Sequence, residues 1–272
     1  MNTTKLDLNK LHPFAGHPYK VQDNEEMDAL VESIRMNGIL TPLTVRPLEN
    51  GEYEVISGHR RLYAAQKAGL ETVPAIILPM SRDEAAVAVV DSNLHREHLL
   101  PSEKAFAYKL KMEALNHQGV TSGQVGQKWS RDVISDADSG RQVQRYIRLT
   151  YLIPSILSMV DEGRIAFTPA VELSYLTEQE QQELAEEMAY ADATPSLSQA
   201  QRMREISRQG RLTTDVIYAI MSEEKANQKE RLKIPMERIR RFFPQSYTTA
   251  QIEDTIVKLC ERDYRRRTDR DR

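Results

Sequence analysis

Apolar and polar residues alternate with two different periods in the first part of the chain. Apolar positions three and four residues apart predict a helix over Glu25–Asn37 that ends before Gly38. Short alternating segments over Leu43–Arg46 and Tyr53–Ile56, separated by turn residues, predict two strands of a hairpin. Together these segments indicate a domain that mixes helices and strands.

The second strand of this hairpin leads into a glycine turn. After Gly58, helix formers continue over His59–Ala68 until Gly69, which predicts another helix. A further strand is predicted at residues 73–78 and a helix at residues 83–93. We therefore expect an α+β domain over residues 1–100.

Strand patterns nearly vanish after Pro101. A long helix is predicted from this proline, and helix starts are predicted again at Thr168 and Ser196, with Gly210 as a stop. Residues 101–210 should therefore form an all-α domain.

The remaining residues, 211–272, predict a small α/β module. Residues 232–235 suggest a short extended segment, and residues 248–264 a last helix with Ile252, Ile256 and Leu259 on one face. An amphipathic helix of this size gains little unless it buries its apolar stripe. We expect this module to associate two chains into a homodimer, and the protein to be predominantly helical overall.

Composition narrows the class of protein. Apolar residues make up 40% and charged residues 28% of the 272 residues, and no long apolar segment interrupts them, so we expect a cytoplasmic protein with no membrane association. The net charge is −3, whereas proteins that coat nucleic acid without sequence preference are usually basic. Any DNA contact should therefore be local, and two basic segments qualify: residues 141–148 and the arginine-rich tail at residues 264–272, in which aspartates dilute the charge.

The glycine turn carries the first candidate chemistry. The segment Ser57-Gly58-His59-Arg60-Arg61 places two arginines at the start of a helix, where backbone N–H groups favour an anion. One interpretation is a triphosphate site, and the other is an ordinary glycine turn followed by solvated arginines.

A second polar group lies near the end of the predicted helix at residues 83–93. Asn93, Arg96 and Glu97 are three and four residues apart, so they share a helix face and could meet the glycine turn. The same pattern also fits a polar helix end with a surface ion pair. His95 and His98 lie close in sequence, but no further ligands accompany them, so we predict no metal site built from protein side chains.

A helix-turn-helix pattern is the third candidate. Residues 130–137 predict a short helix, residues 138–140 a turn, and residues 141–150 a second helix. Its outward positions are rich in the side chains that bind base edges and phosphates: Arg141, Gln142, Gln144, Arg145 and Arg148. A basic solvated face on a helical hairpin is the alternative.

Taken together, these segments resemble the ParB/RepB partition-protein family to about residue 185. The resemblance rests on the opening His17-Pro18-Tyr19-Lys20, the glycine-any-arginine-arginine motif at Gly58, and the later Pro101-Ser102-Glu103. It continues through Gln142–Leu149 and Thr168-Pro169-Ala170.

The resemblance implies a site-specific DNA-binding protein of a chromosome, plasmid or integrative element. Such proteins bind CTP with Mg²⁺ and use it to close a homodimeric clamp on double-stranded DNA. It implies a nucleoid-associated protein with a ParA-type ATPase as partner. By resemblance, the nucleotide-binding residues are His17, Lys20, Gly58, His59, Arg60, Arg61, Asn93 and Arg96, with Mg²⁺ near Asn93.

Departures from the family pattern leave some properties open. Ser92 stands where the family often has a glutamate tied to hydrolysis, so the resemblance implies nucleotide binding and leaves a slow CTPase activity open. His17 and Tyr19 replace the usual glutamine and arginine, and Asp136-Ala137-Asp138 replaces the usual turn glycine of the helix-turn-helix.

Four other functions were compared with this interpretation. The related sulfiredoxin fold needs a cysteine where Gly58 stands, which excludes that enzyme. A ParB-like nuclease or small-molecule kinase would not explain the helix-turn-helix. A site-specific transcription regulator without a nucleotide switch remains, and it differs in whether CTP changes DNA retention.

Overall fold

A five-stranded mixed sheet occupies the start of the computed structural model, which describes residues 3–94, 96, 99–119, 138–223, 236–244 and 246–268. The chain divides into two units, residues 1–223 and residues 224–272. The first unit holds the sheet and most of the helices, and the second holds two described helices.

The sheet is built around the predicted hairpin. Its strands are β1 (Thr4–Asp7), β2 (Leu11–Pro13), β3 (Leu43–Pro47), β4 (Tyr53–Ser57) and β5 (Thr72–Ile77). Their order in space is β1-β5-β3-β4-β2. β3 pairs antiparallel with β4, which confirms the hairpin, and parallel with β5. β1 and β2 were not predicted from the sequence; they pair with β5 and β4, and a 3₁₀ helix at Leu8–Lys10 joins them.

Three helices flank this sheet, and each was predicted. They are α1 (Glu25–Asn37), α2 (His59–Ala68) and α3 (Arg82–Asp91). The Asn24 side chain caps α1 by accepting a hydrogen bond from the Met27 backbone at 3.1 Å. The apolar stripe of α1 packs on Ala64 of α2, which explains its helical spacing.

The following residues are helical, as predicted. The helices are α4 (Pro101–Gly119), α5 (Gly140–Arg148), α6 (Pro154–Asp161), α7 (Phe167–Leu173), α8 (Glu178–Ala191), α9 (Leu197–Arg208) and α10 (Thr214–Met221), with a 3₁₀ turn at Leu149–Tyr151. One apolar core joins α6 to α10, with Ile156, Leu184, Met203 and Ile217 fully buried. Because α10 shares this core, the first unit continues past Gly210.

Of the predicted helix-turn-helix, only the turn and the second helix lie among the described residues. Its first helix, residues 130–137, lies outside the described residues. The second helix, α5, ends at Arg148, and a 3₁₀ turn replaces the rest of the predicted helix. The prediction that Gly140 belongs to the turn was wrong, because the Ser139 hydroxyl accepts a hydrogen bond from the Gln142 backbone and starts the helix at Gly140.

The described residues of the second unit include α11 (Met236–Arg240) and α12 (Thr249–Thr268), and α12 begins one residue after the start predicted for the last helix. The predicted extended segment at residues 232–235 lies outside the described residues. On α12, Ile252 is buried, whereas Leu259 is 46% exposed. Part of the apolar stripe of α12 is therefore uncovered within this unit.

The predicted fold class is confirmed: an α+β region precedes a helical region, and helices predominate. Among the helices of the described ranges, none combines the length and apolar character that crossing a bilayer requires.

Candidate functional site

The turn between β4 and α2 requires glycine for two reasons. Gly58 has φ of +103°, in the region that side chains other than glycine rarely adopt. A Cβ atom there would lie 3.1 Å from Arg61 Nη2 and 3.2 Å from Leu43 Cγ. The turn therefore allows the backbone at the start of α2 to pass close to the side chains around it.

A cavity of about 270 Å³ opens at this turn. Its lining residues are His17, Tyr19, Lys20, Val21, Leu30, Ser57, Gly58, His59, Arg60, Arg61, Ser92, Asn93 and Arg96. All eight residues that the sequence assigned to nucleotide binding are among them. The structure thus brings these residues together from three separate segments, and their role in binding remains a prediction.

The two arginines at the start of α2 have different surroundings. Arg60 Nη2 donates to Glu26 Oε2 on α1 at 3.1 Å, and both side chains are exposed. Arg61 Nη1 donates to the backbone carbonyls of Thr41 and Pro42, the latter at 2.9 Å. Burial lowers the pKa of Arg61 below its usual value. Arg61 is therefore part of the cavity wall, whereas Arg60 is held by a solvated ion pair that an anionic ligand could displace.

A pair of histidines forms another side of the cavity. The rings of His17 and His59 lie 3.7 Å apart between centroids, tilted by 37°. His17 Nδ1 lies 2.8 Å from the Tyr19 carbonyl, and His59 Nε2 accepts a hydrogen bond from the Phe14 backbone at 3.3 Å. Burial lowers the pKa of both rings, that of His59 to about 3, and the adjacent His17 lowers the His59 value further. Both rings are therefore neutral at pH 7.

This buried pair predicts a dependence of stability on pH. Unfolded chains protonate histidine below about pH 6.5, whereas folded His59 stays neutral until about pH 3, so stability is complete above pH 6.5 and falls on acidification. Lowering the pH from 7.5 to 5.5 should remove about 1.4 kcal/mol of unfolding free energy through His59. Urea unfolding of wild type and His59→Gln would measure this difference. Parallel pH profiles for the two proteins would contradict it.

The wall opposite the glycine turn comes from the end of α3. Asn93 is buried, and its amide nitrogen donates to the Val89 carbonyl at 2.9 Å and to Ser92 Oγ at 3.0 Å. These bonds fix the orientation of the carboxamide. The Arg96 guanidinium lies 5.9 Å above the Tyr19 ring, close enough for a cation–π contact.

Sequence reasoning missed several lining residues. Tyr19 is buried, and its hydroxyl donates to the Val90 carbonyl at 3.3 Å, so it connects the opening segment to α3. Leu30 comes from the apolar face of α1, where a core position and a cavity position look alike in sequence. Only the departure of Tyr19 from the family pattern marked this position as unusual.

Lys20 lies between the cavity and the helical region. Its backbone N–H donates to Glu103 Oε1 of α4 at 2.9 Å, and its ammonium donates to Asp161 Oδ2 of α6 at 3.3 Å. Asp161 also accepts two hydrogen bonds from Ser102, at 3.0 Å from the backbone and 2.6 Å from the hydroxyl. The opening segment of the cavity is thus attached to two helices of the helical region.

The second candidate surface is α5. Val143 and Ile147 are buried against Tyr108 of α4, as predicted from their spacing. Arg141 is exposed, and Gln142 and Gln144 are half-buried. The helix therefore presents Arg141 and part of its glutamine side chains to solvent.

The other two arginines of α5 make contacts within the protein. Arg145 donates to Thr168 Oγ1 at 2.9 Å and to Gln142 Oε1 at 3.2 Å. Arg148 donates to Ser174 twice, from Nε to the hydroxyl at 3.2 Å and from Nη2 to the carbonyl at 2.7 Å. Its guanidinium also lies 4.0 Å above the Tyr175 ring. Arg148, which the sequence predicted to face outward, is half-buried and hydrogen-bonded to Ser174.

Comparison with known proteins identifies a family match for the N-terminal region and relatives of similar sequence. Residues 1–94 match the ParB N-terminal domain family. A nucleoid occlusion protein of Listeria innocua is 32% identical over 178 residues, which cover 65% of this chain and 59% of that protein. The chromosome-partitioning protein Spo0J of Thermus thermophilus is 34% identical over 163 residues, 59% of this chain and 55% of that protein. The chain thus spans less than two thirds of the length of these relatives.

Among solved structures, a C-terminally truncated chromosome-partitioning protein ParB from Caulobacter crescentus, complexed with CTP-γ-S, is 26% identical. The match covers 70% of this chain and 99% of that chain, with a TM-score of 0.33. Residues 1–94 form a ParB N-terminal domain.

Proposed function

We propose that the protein is a site-specific DNA-binding partition protein whose N-terminal cavity binds CTP. The observation that carries this proposal is the convergence of Lys20, Arg60, Arg61 and Arg96 on one cavity at the start of α2. A helix start with several cations suits a polyanion such as a triphosphate, because N–H groups and guanidinium groups both donate to phosphate oxygens.

The residues around the cavity also fit Mg²⁺ as the companion of a triphosphate. Mg²⁺ prefers oxygen ligands and is usually held by phosphates together with one or two protein oxygens. The nitrogen of Asn93 is occupied by its bonds to Val89 and Ser92, which leaves its carboxamide oxygen as a suitable ligand. Mg²⁺ would neutralise phosphate charge there.

We propose that the cavity binds CTP, and the proposal does not include CTP hydrolysis. Ser92 lines the cavity, and its hydroxyl donates to the Val89 carbonyl at 3.0 Å. A hydroxyl cannot serve as the carboxylate base that the family often has at this position. The neighbouring Asp91 is paired with Lys111 at 2.6 Å.

DNA binding is assigned to α5. Arg141, Gln142 and Gln144 offer the donors and acceptors that suit base edges and phosphates, and Arg145 retains free N–H groups beyond its two internal bonds. The names of the relatives, chromosome-partitioning and nucleoid occlusion, support a place on the nucleoid. We further propose double-stranded DNA, a second copy of the chain and a ParA-type ATPase as partners.

Two linked measurements test the proposed function. Calorimetry with Mg²⁺ and each of the four NTPs should give the tightest binding for CTP. A DNA site selected from random duplexes should then be retained differently with and without CTP. Alanine at Gln142 or Arg145 should cost about 1 to 3 kcal/mol on that site.

The outcomes separate the alternatives. Binding of none of the four nucleotides would overturn the nucleotide part of the proposal. CTP binding with no change in DNA retention would favour a transcription regulator without a nucleotide switch. Failure to select any duplex would overturn the DNA part.

Dimerisation through the C-terminal unit is a separate expectation. Leu259 and Val257 of α12 are about half exposed, and a second copy of the chain could bury them. The full chain should be a dimer, and a chain ending at Glu223, which retains the complete core of the first unit, should be a monomer without nucleotide. Light scattering on both proteins measures this. A dimer of the shortened chain would place the interface elsewhere.

A further inference from the structure

The guanidinium of Arg145 is held by residues from two helices. Nη1 donates to Gln142 Oε1 on the same helix at 3.2 Å, and Nη2 donates to Thr168 Oγ1 on α7 at 2.9 Å. The Phe167 ring lies 4.9 Å from the centre of the guanidinium. Arg145 is thus fixed both in its plane and from one face.

The start of α7 is itself attached to α5. The Phe167 ring lies 4.6 Å from the Tyr146 ring, and Tyr146 lies 5.7 Å from Tyr108 of α4 in an edge-to-face contact. These aromatic contacts pack the start of α7, which carries Thr168, against α5. The hydroxyl that binds Arg145 therefore belongs to a rigid neighbour, 23 residues away in the chain.

This arrangement leaves Arg145 able to bind a base. A guanidinium has five N–H donors, and the two internal bonds leave three of them for other partners. Binding a guanine with two hydrogen bonds requires the guanidinium to lie in the plane of the base. A side chain already held in one orientation loses less rotamer freedom on binding than a mobile one.

The two arginine–hydroxyl pairs of α5 differ in exposure. Ser174, which binds Arg148, is only 1% exposed, and Arg148 itself is half-buried. Thr168, which binds Arg145, is half-buried, and Arg145 also donates to Gln142, one of the residues assigned to DNA binding. The Arg145–Thr168 pair is therefore at the surface assigned to DNA.

We propose that Thr168 is a positioning residue for base selection: its hydroxyl orients Arg145 toward one base pair of the DNA site. Specificity is then set by α5 together with α7, outside the helix-turn-helix. This inference rests on the proposed DNA binding. It concerns which base pair is discriminated, and it makes no claim about nucleotide binding.

The test uses the full chain and a duplex selected from a random library with the wild-type protein. Affinities are measured for the selected duplex and for every single base-pair substitution in it. The variants are Thr168→Val, Thr168→Ser, Arg145→Ala and the double variant Thr168→Val/Arg145→Ala. Thr214→Val is the matched control, because Thr214 Oγ1 also bonds a side chain, Glu183 Oε2 at 2.9 Å, on other helices of the helical region.

We expect Arg145→Ala to lose discrimination at a particular base pair. Thr168→Val should reduce discrimination at that same base pair by about three- to tenfold, the effect of one hydrogen bond, and leave the other positions unchanged. Thr168→Ser, which retains the hydroxyl, should behave as wild type. In the Arg145→Ala background, Thr168→Val should have no further effect, because the two residues act through one contact.

Other outcomes overturn the inference. Equal weakening on all duplexes, or an additional loss in the Arg145→Ala background, would make Thr168 merely structural; thermal melting of each variant identifies a loss of fold. If Arg145→Ala loses discrimination but Thr168→Val does not, this inference fails and the proposed function stands. If the wild-type protein selects no duplex, both fail together.

Discussion

Replacing Arg60 by alanine is expected to weaken CTP binding by about 10- to 100-fold while the protein stays folded. The loss corresponds to one charge-assisted hydrogen bond to phosphate, about 1.5 to 3 kcal/mol. The fold should tolerate the change, because the partner of Arg60 is the exposed Glu26 and surface ion pairs contribute little to stability. Calorimetry with CTP and Mg²⁺ measures the affinity, and thermal melting confirms the fold.

Two control variants sharpen this result. Glu26→Gln removes the ion-pair partner of Arg60 and should leave CTP affinity equal to or higher than that of wild type. Arg35→Ala removes an exposed arginine on α1 that pairs with Glu32 away from the cavity, and it should have no effect. Unchanged affinity in Arg60→Ala would show that the arginine lies outside the nucleotide site.

Replacing Arg148 by alanine is expected to lower the free energy of unfolding by about 2 to 4 kcal/mol. The change removes two hydrogen bonds to Ser174 and the stacking of a guanidinium on Tyr175 and Tyr151. Lysine should not restore the loss, because its ammonium cannot form the paired planar contact. Urea unfolding of Arg148→Ala and Arg148→Lys measures both effects.

Arg141→Ala is the matched control for this prediction. Arg141 is exposed on the same helix, so its removal should change stability by no more than about 0.5 kcal/mol. The sequence pattern predicted Arg148 as a phosphate contact. A stable Arg148→Ala protein that binds cognate and random DNA equally weakly would support that role and refute the structural one.

The sequence predicted the hairpin and α2 because their information is local. Alternation within β3, the turn residues between β3 and β4, and the glycines at each end of α2 specify these elements without reference to distant residues. β1 and β2 escaped prediction because each is only three or four residues long. Both are strands only through pairing with β5 and β4, more than forty residues away.

The difference between local and long-range information also applies to the cavity and to α5. The eight cavity residues were identified through motifs, each contained in a short segment, and the structure places them around one cavity. On α5, Arg141 is exposed as predicted, whereas Arg148 is half-buried and hydrogen-bonded to Ser174. The helical period alone places Arg148 outward, whereas its position is decided by Ser174, 26 residues later in the chain. Helical periodicity alone cannot reveal a hydrogen-bond partner that lies so far along the chain.

The order of the strands has a consequence for aggregation. β1 and β2 are the two edge strands, yet only Leu8–Lys10 separates them, and such a link spans at most about 14 Å. In a flat sheet of five strands the edges would lie about 19 Å apart. The sheet must therefore curl until its edges approach each other. Edges that are short and turned toward each other offer little template for adding a foreign strand, and the exposed Lys5 and Asp7 of β1 and Pro13 of β2 oppose edge-to-edge association further.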